Sequence, residues 1–96
     1  MLLLITYDIS TQTPAGRKRL SQVAKQCQAY GQRVQNSVFE CIVDHAESIQ
    51  LKHKLTSLIN PREDSLRFYM LGNRYETKVE HIGAKPSFQV EEPLII

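Results

Sequence analysis

The opening stretch, Met1-Leu2-Leu3-Leu4-Ile5-Thr6-Tyr7-Asp8, constrains this chain more than any other. Its five leading apolar residues, followed by a Thr and a Tyr, predict a strand buried on both faces. Leu2 and Leu4 share one face of that strand, and Leu3 and Ile5 share the other. The run is too short to span a bilayer and has no basic leader, which excludes a transmembrane helix and a signal peptide. Asp8 stands where the strand must stop, ahead of the loop residues Ser10-Thr11-Gln12-Thr13-Pro14. A carboxylate at the carboxyl end of a central strand is a common place for chemistry. The plainer reading is an acid that starts a loop by bonding its own backbone.

The chain has 96 residues, enough for one domain with a modest core, so an oligomer that buries further apolar surface is expected. Net charge is only +2, yet Arg17, Lys18, Arg19, Lys25 and Arg33 face Asp8 alone in the first 35 residues. That local excess points to an anionic partner. Cys27 and Cys41 form no CxxC pair and lie in apolar segments, as two buried thiols of a reducing cytoplasm would. Neither a CxxC…CxxC nor an HExxH pattern supports a zinc site.

Thr13 is placed to cap a helix that begins at Pro14, with Leu20, Val23, Ala24 and Cys27 at helical spacing and Gly31 as a left-handed stop. Arg17-Lys18-Arg19 falls near the start of that helix, where the macrodipole disfavours each cation by roughly 0.3–1 kcal/mol. A bound phosphate would account for the cluster, and a solvated charge run is the alternative. Arg17 aligns with Leu20, Ala24 and Cys27, so its guanidinium is expected to leave the core edge near Asp8.

Residues 32–43 read as two strands joined at Asn36-Ser37, the second nearly all apolar except Glu40. An acid in such a strand is either paired or at a dimer seam. Asp44 with Glu47 makes a capping-box pattern for a second helix with the stripe Leu51, Leu55, Leu58 and Ile59, ended by Asn60-Pro61. Ile49 falls off that stripe. In residues 64–72, Leu66, Phe68 and Met70 alternate with Arg67, Tyr69 and Leu71, the first set expected to face the helices. Two helices can cover only one face of such a sheet, so the other is expected to meet a second copy. Val79-Glu80-His81-Ile82 is a candidate for an additional C-terminal strand. The whole is an α+β chain in ferredoxin-like βαββαβ order, with a domain over residues 1–83. Residues 84–96, ending in Leu94-Ile95-Ile96, are expected to be a docking tail.

Several of these stretches together resemble the small CRISPR-associated protein two family. They are Tyr7-Asp8-Ile9, Gly16-Arg17-Lys18-Arg19-Leu20, the run from Tyr30 to Cys41 containing Arg33-Val34-Gln35-Asn36-Ser37-Val38-Phe39-Glu40, and Asp64-Ser65-Leu66-Arg67-Phe68-Tyr69. The form is similar to that of type I-C systems. The resemblance implies a cytoplasmic ferredoxin-like homodimer with facing sheets that works beside the CRISPR integrase in spacer acquisition. It also implies a metal-dependent endonuclease acting on RNA or double-stranded DNA, with the Asp8 of each protomer at one Mg²⁺. Tyr7 joins Asp8 among the catalytic positions. Arg17, Lys18, Arg19, Arg33 and Phe39 fall to the nucleic acid, and the tail to the partner protomer or the integrase. Two other readings stay open: a non-catalytic DNA-binding scaffold bridging integrase dimers, and a ribonuclease toxin of related fold. An RNA-recognition domain is disfavoured, because its aromatic signature does not occur.

Overall fold

The computed structural model describes residues 1–83, so the expected tail over 84–96 lies outside the described residues. Two β-α-β halves follow one another. β1 (Leu2–Asp8), α1 (Pro14–Tyr30) and β2 (Gly31–Gln35) lead to β3 (Val38–Ile42), α2 (His45–Leu58) and β4 (Ser65–Gly72). The strands form one sheet in the order β2-β3-β1-β4, antiparallel throughout. This is the ferredoxin-like arrangement, with the opening strand in the interior of the sheet. Its register pairs Leu4 with both Glu40 and Tyr69, and Asp8 with Ser65. Main-chain bonds between Met1 and Val43 in both directions continue the β1–β3 ladder past the strand end.

The sheet has two unlike faces. Leu3, Ile5 and Tyr7 of β1 and Phe39 and Cys41 of β3 are buried against Val23 and Cys27 of α1 and Leu51 and Leu55 of α2. Both thiols are free and out of water. Burial pushes Cys27 up to about 11 and Cys41 up to about 12, so they are small core residues. On the opposite face Leu4, Thr6, Val38, Glu40 and Ile42 are half-buried, and Asp8 and Tyr69 are exposed. Among the described residues both helices lie on one side of the sheet, and no helix covers this second face.

The helix ends follow local chemistry. Thr13 accepts a hydrogen bond from the Gly16 amide, with Pro14 in the first turn. Asp44 and Glu47 close a reciprocal capping box on α2. On α2 the buried stripe is Ser48, Leu51 and Leu55, with Leu58 and Ile59 packed partly against the core. Ser48 turns its hydroxyl onto the His45 carbonyl, which satisfies it inside the core, while Ile49 stays exposed.

Three expectations are corrected. Gly31 is not a left-handed stop: its φ of −168° is extended, and α1 passes directly into β2. A glycine is required there by proximity, since a Cβ would lie 2.1 Å from the Glu40 carbonyl oxygen and 2.8 Å from Cys41 Sγ. Met70 does not join the core. Leu66 and Phe68 reach it, but Met70 is 52% exposed with the Lys52 ammonium 3.4 Å from its sulfur, beyond the flank of α2. Val79–Ile82 is no strand. After Gly72 turns with a φ of 77° and a single 3₁₀ turn runs over Tyr75–Thr77, residues 79–82 lie exposed with no strand partner among the described residues.

Candidate nucleic-acid-processing site

Asp8 ends β1 on the face that carries no helix, and its carboxylate is exposed. Thr6, Tyr7, Asp8, Ser65, Leu66 and Arg67 line a cleft of about 250 Å³. The register explains the grouping. Thr6 pairs with Arg67 and Asp8 with Ser65, which places all four at one end of the same face.

Tyr7 alternates to the other side. Its ring is buried against the core and stacks near Phe39, with centroids 6.2 Å apart. Its hydroxyl donates to the Asn36 carbonyl at 3.4 Å, and its amide donates to the Ser37 carbonyl at 3.1 Å. Burial pushes the phenol above its ordinary value against a smaller opposing pull from Arg33, so it stays protonated and donating. From this place Tyr7 braces the end of β1 against the β2–β3 turn and points away from the cleft.

Phe39 and Arg33 form a second pair. Phe39 is wholly buried, so its ring cannot stack on a base; this corrects the expectation that it contacts nucleic acid. Arg33 crosses its ring with the guanidinium carbon 5.2 Å from the centroid and remains exposed at the edge strand.

The basic start of α1 divides. Arg17 and Lys18 are exposed. Arg17 turns back onto the loop after β1, donating to the Thr11 carbonyl at 3.0 Å. Arg19 is engaged internally, with its Nε 2.8 Å from Asp64 and an Nη 3.1 Å from Glu63. The reason sought for a cation against the helix dipole is thus, for Arg19, a buried carboxylate of its own chain.

Asp64 was not singled out from the sequence. Its side chain is removed from solvent and accepts from the Ser10 and Asn60 amides as well as from Arg19. Burial by itself would raise this carboxyl, but Arg19 and the two amides outweigh burial and hold it below the ordinary range. Those partners lie 54 and 45 residues away for Ser10 and Arg19, so no local pattern could announce them. Ser65 and Arg67 were likewise legible only as strand residues, because register alone carries them to Asp8.

Among the described residues no cluster of three or more His, Cys, Asp or Glu could hold a metal ion. The cleft offers one carboxylate with hydroxyl oxygens beside it, a donor set suited to a hard cation. His45, His53 and His81 are exposed and none lines the cleft.

The family model for CRISPR associated protein Cas2 matches residues 1–79. The chain is 66% identical over 95 residues to the CRISPR-associated endonuclease Cas2 of Halalkalibacterium halodurans, covering 99% of each. It is 55% identical over 96 residues to the CRISPR-associated endoribonuclease Cas2 of Nitratidesulfovibrio vulgaris, covering 100% of this chain and 94% of that one. Among solved structures, Streptococcus pyogenes Cas2 superposes with a TM-score of 0.75 at 58% identity, covering 86% of this chain and 100% of that one. A chain of a partial Cas6-RT-Cas1–Cas2 complex superposes with a TM-score of 0.67 at 25% identity, covering 99% and 98%. With its interior β1 ending in Asp8, its ferredoxin-like sheet and relatives matched along nearly their full length, the chain belongs to the CRISPR associated protein Cas2 family.

Proposed function

We propose that this protein is a CRISPR-associated endonuclease that hydrolyses phosphodiester bonds of RNA or duplex DNA as a homodimer, in spacer acquisition beside the CRISPR integrase. The observation that carries this reading is the position of Asp8, exposed at the end of the interior strand on the helix-free face. Leu4, Val38 and Ile42 make that face apolar enough to meet a second copy. A two-fold pairing of such faces presents Asp8 twice. The names of the relatives support the activity, and the complex containing a similar chain supports the integrase as partner. Among the described residues no helix is long and apolar enough to cross a membrane.

Asp8 from each protomer would hold a divalent cation, Mg²⁺ by this reading, which would offset phosphate charge and acidify a water. The chain's own residues arrange the substrate. Arg67 and Ser65 face the scissile phosphate from the cleft wall, while exposed Arg17, Lys18 and Arg33 hold flanking phosphates. Tyr7 and Phe39 act from behind the sheet by fixing β1 and Arg33 in place. Water adds at phosphorus and one P–O ester bond breaks, leaving a phosphate monoester and a free hydroxyl.

The test is cation-dependent cleavage of duplex DNA and of RNA by the purified protein and by Asp8→Asn. Cleavage should disappear, while melting shifts by no more than about 4 °C, because exposed substitutions rarely exceed ~0.5 kcal/mol. Cleavage that survives in Asp8→Asn would refute the assignment. A protein that binds duplex DNA but never cleaves would be the integrase-bridging scaffold instead.

A further inference from the structure

We infer that Asp64 is a positioning residue of this site, holding the Asp8 carboxylate in place without touching substrate. The inference rests on Asp8 being the acid of the site. Asp64 precedes β4 by one residue, and both its oxygens are used. Oδ1 accepts from the Ser10 amide at 3.0 Å and an Arg19 Nη at 3.4 Å; Oδ2 accepts from the Asn60 amide at 2.8 Å and Arg19 Nε at 2.8 Å. A single buried anion thus ties the loop after β1, the body of α1 and the segment after α2 to the start of β4.

Its relation to Asp8 goes beyond a general staple. Asp8 pairs with Ser65 in the β1–β4 ladder, and Ser10, two residues on, is bonded to Asp64. Consecutive residues of the β4 start therefore grip both sides of Asp8–Ser10, and buried Ile9 anchors the middle. The loop is closed in from its other side by Gly16, where a Cβ would come 2.0 Å from the Ser10 carbonyl oxygen. Asp8 is left as the exposed group of a segment with little freedom. A ligand carboxylate needs that restraint, since functional geometry must hold within about 0.5 Å. Arg19 completes the device by neutralising Asp64, so its two bonded nitrogens are committed within the chain.

The direct test is Asp64→Asn in the full chain, which keeps the side-chain volume but turns an amide NH₂ toward groups that are all donors. Apparent Mn²⁺ affinity, read by calorimetric titration, should fall about 10–100-fold, the usual cost of losing an outer support of a metal ligand. Hydrogen exchange at the Ser10 amide should accelerate in parallel. Val23→Ala, a truncation in the middle of α1, should lower the melting temperature and leave Mn²⁺ affinity within about two-fold, separating positioning from general destabilisation. Should Asp64→Asn fail to fold, Arg19→Gln removes the cation and leaves Asp64 its two amide donors. It should weaken Mn²⁺ binding several-fold without altering the salt dependence of duplex binding. Unchanged Mn²⁺ affinity in a folded Asp64→Asn, or in Arg19→Gln, would overturn the inference. A flattened salt slope in Arg19→Gln would make Arg19 a phosphate contact instead. If the unaltered protein binds no Mn²⁺ and Asp8→Asn makes no difference, the failure belongs to the reading of Asp8.

Discussion

Phe39 separates a residue that holds the fold from one that touches nucleic acid. Its ring is fully buried, stacked near Tyr7 and covered by Arg33. Replacing a buried Phe by Ala costs about 3–5 kcal/mol. A domain of 96 residues carries roughly 5–14 kcal/mol of total stability, so Phe39→Ala consumes a large share of it yet can leave the protein folded when cold. An unfolding entropy of about 2.1 cal/mol/K per residue amounts to about 0.2 kcal/mol/K here, so the melting temperature should drop about 15–25 °C. Phe39→Leu retains most of the apolar volume. It loses the Tyr7 stack, worth ~0.5–1.5 kcal/mol, and the exposed Arg33 contact, worth ~0.5–1 kcal/mol. A drop of about 5–12 °C is the outcome for that variant. Thermal melts at one fixed protomer concentration supply the measurement, since association also shifts the midpoint. Duplex binding across a salt series, run well below the midpoint, should keep its slope in both variants. Phe39→Ala melting within about 3 °C of the parent while losing nucleic-acid affinity would refute the reasoning and make the ring a contact surface.

Gly31→Ala should destabilise by more than the ~1–3 kcal/mol of ordinary overpacking, because the added Cβ meets the Glu40 main chain, which cannot swing aside as a side chain would; urea unfolding checks it, and a neutral result would show that β2 and β3 sit further apart. The two thiols set an alkaline limit. Their folded values of about 11 and about 12 stand above the ordinary 9.0, so their stabilising effect is complete below pH 9 and is lost as pH rises toward those values. Denaturant melts should therefore weaken above pH 9, less steeply in Cys41→Ala, and a thiol reagent at pH 8 should label neither cysteine until the protein unfolds.

How much of this was legible in the chain depended on the range over which each interaction acts. The strand at Leu2–Asp8, the Thr13 and Asp44 caps, the turn at Asn36-Ser37 and the stop at Asn60-Pro61 are all governed by residues within a few positions of one another. Their causes are hydrophobic alternation, side-chain capping and proline sterics, and these act locally. The helix-free apolar face also followed from sequence, by counting strand faces against helices. The place of Asp8 at the end of β1 was legible too, because a strand end announces itself.

What only the tertiary structure decided is which distant groups meet. The glycine at 31 looked like a left-handed stop because helix ends commonly use one; its real constraint is the neighbouring strand, nine residues further on at Glu40. Phe39 could face either way until the β1–β3 register turned it into the core. The three basic residues at the start of α1 were identical as charges in the sequence. They became different only when Asp64, 45 residues beyond Arg19, was brought beneath that helix and claimed Arg19 for the interior. Electrostatic pairing and close packing depend on separation in space, and separation along the chain does not report it.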